Sequence, residues 1–248
     1  MTDSRQTGSD RRRFGERLRR LAAVVGHAVW PPTCVICSRA SDQPRDWCRA
    51  CAAALPLAAG QCRRCGLELP RSVGRCGRCV AAPPAFDRTH AAFVYTAPVA
   101  GLVQRFKFDG DPVAGRVLAE LMAHRLRDAG AVRPELLVPV PLNWRREWHR
   151  GFNQAEWLCR DLARQFGSLP WAPALSRRRA TAAQSDLPAT RRAANVRGAF
   201  ELRALPRGAR HVALVDDVMT TGTTLGECAR TLKRAGVRRV DVWVAARA

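Results

Sequence analysis

Val212-Ala-Leu-Val-Asp-Asp-Val-Met-Thr-Thr-Gly-Thr-Thr-Leu225 reads as a buried strand that runs into a small, hydroxyl-rich turn and then into a helix. The apolar run Val212 to Val215 suits a strand covered on both faces. Asp216 and Asp217 are expected to end it, and Thr220, Thr221, Gly222, Thr223 and Thr224 to form the turn. Such a turn cradles a phosphate: backbone N–H groups point out of the positive helix end, the glycine permits close approach, and the hydroxyls add donors. Two carboxylates beside that anion would repel it unless they faced something else, and ribose hydroxyls, met directly or through magnesium, are their natural partners. A plain strand end and helix cap explains one hydroxyl, not four threonines around a glycine. The acidic strand of a P-loop nucleotidase is excluded, because G-x-x-x-x-G-K-[ST] is absent and neither Lys107 nor Lys233 follows a glycine.

Outward from this turn, apolar runs and amphipathic stretches alternate. Strands are expected at Ala91–Tyr95, Leu136–Val140, His211–Val215 and Arg239–Val244, and helices at Pro98–Phe106, Pro112–Asp128, Gln154–Phe166 and Thr224–Ala235. That alternation implies an α/β fold with a mostly parallel sheet flanked by helices, here residues 88–248. Ligands of such sheets sit beyond the carboxyl ends of the strands, which directs attention to the turns after Val140 and Val215.

Ahead of this domain lies a cysteine block. Eight of the ten cysteines form the C-x-x-C pairs Cys34/Cys37, Cys48/Cys51, Cys62/Cys65 and Cys76/Cys79, and the first half recurs 28 residues later. A C-x-x-C turn aims two thiolates at one tetrahedral ion, and a second turn completes a closed structural site. Two zinc ions are therefore expected within residues 31–82. Spacing leaves open whether each half holds one ion or the first pair joins the third and the second the fourth. Disulfides and redox pairs are disfavoured by the lack of a secretory signal and by four pairs in duplicated register. Cys159 and Cys228 lie in helical patterns and read as ordinary buried thiols.

The chain holds 42 Lys+Arg against 21 Asp+Glu, a net charge of +21 that favours phosphates, nucleic acid or an anionic surface as partners. No apolar run is long enough to cross a membrane. Within residues 1–30, Phe14, Leu18, Leu21, Ala22 and Val25 fall near helical spacing among arginines, so a basic amphipathic helix is expected. A solvated helix is favoured there over a peripheral membrane anchor.

The acidic pair followed by Thr-Thr-Gly-Thr-Thr is similar to the ribose-phosphate motif of type I phosphoribosyltransferases. Within that superfamily, Pro139-Val-Pro-Leu142 and Arg150-Gly-Phe-Asn-Gln154, together with the double zinc module, resemble the ComF (competence protein F) family. The resemblance implies that Asp216 and Asp217 bind ribose hydroxyls with magnesium and that Thr220, Thr221, Gly222, Thr223 and Thr224 bind the 5′-phosphate. It places Arg150, Gly151, Asn153 and Gln154 on the pyrophosphate side, although the residues alone also read as a capped helix start. The stretch Ser176–Phe200 resembles a mobile hood loop, and its Arg177, Arg178, Arg179, Gln184, Arg191, Arg192 and Asn195 are candidate contacts to single-stranded DNA.

Two functions follow from the resemblance. One is a cytoplasmic DNA-uptake factor of natural transformation, which binds a ligand of the phosphoribosyl pyrophosphate (PRPP) type and single-stranded DNA and works beside other uptake proteins. The other is a transferase that passes a phosphoribosyl group to a nitrogenous acceptor. No acceptor pocket is legible, and turnover is left open.

Overall fold

A computed structural model of the protein describes residues 32–58, 60–70, 74–142, 151–178, 196–206 and 208–248. The chain divides into two compact units, Met1–Ala54 and Leu55–Ala248. The basic helix expected within residues 1–30 lies outside the described residues. Among the described residues no helix is long and apolar enough to cross a membrane.

The smaller unit carries the first four-cysteine turn and helix α1 (Arg49–Ala53). The larger unit contains, in chain order, α2 (Gly77–Ala81), β1 (Arg88–Val94), α3 (Val99–Phe108), α4 (Pro112–Asp128), β2 (Leu136–Pro139), α5 (Gln154–Gln165), β3 (Leu175–Arg177), β4 (Phe200–Leu202), β5 (His211–Met219), α6 (Thr223–Arg234) and β6 (Arg239–Arg247). Four of these strands pair in parallel in the order β1-β6-β5-β2, with Val215 opposite Trp243 and Val138 opposite Leu214. The α/β architecture expected from the alternating pattern is therefore present.

Strand alternation sorts the helices into layers. Val240, Val242 and Val244 of β6 and Val212 and Leu214 of β5 share a core with Cys228, Ala229 and Leu232 of α6. Trp243 points the other way and meets the Phe166 ring, 5.2 Å between centroids, at the end of α5. Helices α3, α4 and α5 thus lie on the face opposite α6. The turn after β2 leads to one face and the turn after β5 to the other. α/β sheets bind ligands in the crevice beyond the carboxyl ends of such neighbouring strands.

Local chemistry explains the helix boundaries. Asp111 caps α4, accepting from the N–H groups of Val113 at 2.8 Å and Ala114 at 3.1 Å, and Pro112 opens the first turn. Gly115 lets α4 meet α3: a Cβ there would lie 2.5 Å from the Phe106 ring.

Three boundaries differ from the expectation. β1 begins at Arg88, because Arg88, Thr89 and His90 find ladder partners in Asp241, Val242 and Trp243 despite their polarity. β5 runs through Asp216 and Asp217 to Met219, because β6 extends to Arg247 and keeps supplying partners. The ribbon of β3 and β4, Arg177 opposite Phe200, is too short to leave a periodic signal. The free edge of β1 is covered by the chain before it. Thr89 N–H donates to Arg63 O at 3.0 Å, Gln61 Nε2 to Ala91 O at 3.3 Å, and Val94 N–H to Pro56 O at 3.0 Å.

Candidate functional site

At the carboxyl end of β5, the chain turns at Gly222, which has φ +75° and precedes the first residue of α6. A side chain there would be strained by the left-handed backbone, and its Cβ would approach Met219 Cε. The turn is also tied internally. The Thr221 and Thr223 hydroxyls lie 2.7 Å apart, and Gly226 N–H donates to Gly222 O at 2.8 Å. A cavity of about 60 Å³ opens there, lined by Asp216, Thr220, Gly222, Thr223 and Thr224 together with Val218, Met219 and Leu225. The first N–H groups of any helix have no partner inside it, so α6 directs donors and its positive end toward this cavity. Gly222→Ala is expected to cost about 1–3 kcal/mol of stability and to weaken any anion bound there, measurable by thermal melting and calorimetry.

The two aspartates are not equivalent, because neighbouring strand residues face opposite ways. Asp216 lines the cavity. Asp217, buried, points toward α3, where Lys107 Nζ lies 2.9 Å from its Oδ2. Lys107 is the functional neighbour that sequence pattern missed. It sits in the last turn of α3 and nothing local marks it as the counter-ion of an acid on β5. Asp216 is pushed up to about 7, first by burial and then by the negative charge of Asp217; Lys107 and the Asp217 N–H oppose this.

A raised carboxylate favours the folded state in its protonated form. Asp216 therefore stabilises fully below its unfolded value of about 3.8, and this contribution is lost as pH rises through about 7. Asp216→Asn should gain stability relative to the parent between pH 5 and pH 8, by about 2 kcal/mol, in ligand-free melts. A stability difference that stays flat across that range would contradict this.

On the other side of the crevice, Asn153 joins the β2 turn to α5. Its Oδ1 accepts from Ala155 N–H at 3.0 Å and its Nδ2 donates to Val140 O at 3.3 Å. Asn153 and Gln154 are both buried, and Gly151 has φ +74°. Arg150 lies outside the described residues. In the hood segment, Arg177 stacks over Phe200 at 5.5 Å and Arg178 pairs with Glu201. Arg179, Gln184, Arg191, Arg192 and Asn195 fall outside the described residues. The segment returns at Gly198, whose N–H donates at 2.9 Å to Glu227, an acid of α6 held also by Arg230.

The eight clustered cysteines form two groups, Cys34, Cys37, Cys48, Cys51 and Cys62, Cys65, Cys76, Cys79, with all four sulfurs of each group within 4.8 Å of one another. The local pairing is therefore the one adopted. Tetrahedral Zn–S bonds of ~2.3 Å place ligand sulfurs ~3.8 Å apart. Cys37 and Cys48 sulfurs lie 3.9 Å apart, and Cys65 and Cys76 sulfurs 3.7 Å. These are too long for disulfides and right for shared ligation.

The duplication repeats in three dimensions. Cys34 N–H donates to Arg39 O as Cys62 N–H does to Leu67 O, and the Cys48 and Cys76 N–H groups donate to the sulfurs of Cys34 and Cys62. Burial pushes the Cys62 thiol up, but the N–H groups of Cys76, Cys65 and Arg64 outweigh it and bring it down to about 6; Cys34 falls likewise to about 7. Burial and the neighbouring thiols raise Cys51 and Cys79 instead, so it is the four-sulfur geometry of each group that fits a structural zinc ion. The left-handed position of each turn is Ser38 in the first copy and Gly66 in the second. Gly66 lies against β1, where a Cβ would come 2.9 Å from Thr89 Cγ2.

The second group is also tied to the end of β5, just ahead of the Gly222 turn. Arg247, buried at the end of β6, donates from Nε to Cys65 O at 3.2 Å and from Nη1 to Met219 O at 3.1 Å. Cys159 and Cys228 are fully buried, and burial raises both well above the usual thiol range.

Comparison with known proteins adds four findings. A double zinc ribbon domain matches residues 25–80. DNA utilization protein YhgH of Escherichia coli is 38% identical over 228 residues, 90% of this chain and 92% of that protein. Competence protein F of Haemophilus influenzae is 38% identical over 171 residues, 66% of this chain and 75% of that protein. Among solved structures, the allosteric regulatory enzyme of purine biosynthesis aligns at 18% identity and TM-score 0.35, over 57% of this chain and 30% of that one. With its two four-cysteine centres ahead of a mostly parallel α/β sheet, and with this identity across nearly its whole length, the chain belongs to the competence protein F (ComF) family.

Proposed function

We propose that the protein binds a ribose 5-phosphate ligand of the PRPP type with magnesium at the turn after β5, and that it acts on single-stranded DNA during its uptake. The observation that carries the first part is the cavity at Asp216, Thr220, Gly222, Thr223 and Thr224, where a carboxylate and the positive end of α6 face one small space. A phosphate takes the helix end, and the ribose hydroxyls or their magnesium take the acid. Asp217 is shared between Lys107 and the same ligand. Asn153 ties Val140 to the start of α5, and Arg150, Gly151, Asn153 and Gln154 serve the pyrophosphate side.

The second part rests on charge and kinship. The net charge of +21 suits a polyanion, and relatives carry the names DNA utilization protein and competence protein. The two zinc ions hold the cysteine turns. Other DNA-uptake proteins are the class of partner this role implies, at a cytoplasmic site.

A thermal-shift series tests the ligand: PRPP with magnesium is expected to raise the melting temperature, and the absence of any shift at millimolar ligand would overturn the reading. Detection of pyrophosphate release with a nucleobase would convert it to a transferase. For DNA, log affinity for an oligothymidylate should fall with log salt by ~0.7 per phosphate contact. Neutralising Arg177, Arg178, Arg179, Arg191 and Arg192 should flatten that slope; an unchanged slope would remove the hood segment from the DNA surface.

A further inference from the structure

β1 presents two faces. Thr89 and Ala91 turn toward the second cysteine turn, where Thr89 Oγ1 donates to Arg64 O at 2.8 Å. Arg88 and His90 turn toward the end of α4. There, a cavity of about 140 Å³ is enclosed by the Gln61–Arg63 turn, by β1 from Arg88 to Ala92, and by Arg125, Leu126 and Ala129. It shares no residue with the cavity at the phosphate turn.

His90 is only 7% exposed, yet its Nε2 finds no hydrogen-bond partner among the described residues. Arg125 Nε, on the same cavity, is likewise buried without a partner. A polar group removed from water without an acceptor is costly, so two on one wall mark a place for an acceptor. Arg63, Arg88 and Arg125 line the space, each from a different element, and among the described residues no carboxylate does. Acids outside the lining are paired with cations, one of them with Arg125 itself. Asp241 holds Arg239 at 2.8 Å and His211 at 2.9 Å, and Asp128 lies 3.5 Å from the outer nitrogen of Arg125. Burial, followed by the charges of Arg88 and Arg239 and against that of Asp241, lowers His90 to about 4, so its imidazole is neutral and offers one N–H.

We propose that this cavity is a second anion site, which takes one phosphate group between Arg63, Arg88 and Arg125 with His90 Nε2–H as the buried donor. An oxyanion offers acceptors on every side to the Arg63, Arg88 and Arg125 guanidinium groups and to His90. The space has room for a phosphate. Both a free phosphate and a phosphodiester of a DNA strand satisfy that chemistry.

The test uses the full-length, zinc-loaded chain with 15N-labelled histidine, titrated with inorganic phosphate and separately with an oligothymidylate lacking terminal phosphates. One imidazole resonance, identified by its loss in His90→Gln, should move saturably. Arg88→Gln with Arg125→Gln should weaken the titration at least tenfold, and Asp216→Ala with Asp217→Ala should leave it intact. Movement with both titrants assigns the site to a DNA backbone phosphate, and movement with inorganic phosphate alone assigns it to a small free anion. No saturable movement with either, an unchanged titration in the arginine variant, or its loss in the aspartate variant overturns the site.

Discussion

Replacing Asp216 and Asp217 together by alanine is expected to abolish magnesium-dependent binding of PRPP. Hydrogen bonds to charged groups contribute about 1.5–3 kcal/mol each, so the loss of two acids corresponds to an affinity change of roughly 10²–10⁴-fold. Calorimetry with and without magnesium measures it, and an affinity within a factor of three of the parent would remove the ribose from this site. Folding should survive. The double replacement ends the repulsion that raises Asp216 and leaves Lys107, itself part-exposed, to be hydrated. A single Asp217→Ala differs in kind, because it frees the Lys107 ammonium beside a retained Asp216. Magnesium should then matter less, as a fixed cation replaces part of its charge.

Cys62→Ser should damage the larger unit far more than Cys34→Ser. The Cys62 centre belongs to the unit that contains the sheet, covers the edge of β1, and touches β6 and the phosphate turn through Arg247. Losing one ligand of a structural zinc site forfeits folding energy of many kcal/mol. In a unit of this size about 1 kcal/mol corresponds to ~2–4 °C, so a fall in Tm of ~10 °C or more is expected for Cys62→Ser. The Cys34 centre lies in the other compact unit, and its loss should move the main melting transition by no more than ~2 °C. Elemental analysis should show two zinc ions in the parent and one in each variant. Equal melting shifts for the two would show that the centres support the sheet alike.

Much of this protein is local in sequence and therefore legible there. The 28-residue recurrence of Cys34 as Cys62 determined the duplicated turn down to matching backbone hydrogen bonds. Asp111-Pro112 and Asn153 marked two helix starts by capping chemistry that needs only adjacent residues. The turn at Gly222 follows equally from its own neighbours. What could not be read were interactions between segments far apart in the chain.

Lys107 and Lys233 show the difference most directly. Sequence used them only to exclude a P-loop, whereas packing gives Lys107 to Asp217 and Lys233 to Asp87, at 2.9 and 2.5 Å. Spacing left the pairing of eight thiols open, and only the closing of each turn on its own half decided it. The acidic pair looked like a strand end, because carboxylates are poor ladder residues by composition. The ladder continued because β6, encoded more than twenty residues later, runs on to Arg247 beside it. By itself the sequence determined which groups are present and how each turn is built, since caps, C-x-x-C turns and glycine-rich loops are set by neighbours. Only the tertiary structure decided that Asp216 faces the phosphate turn while Asp217 faces a lysine, because side-chain direction depends on which strands and helices pack around the pair.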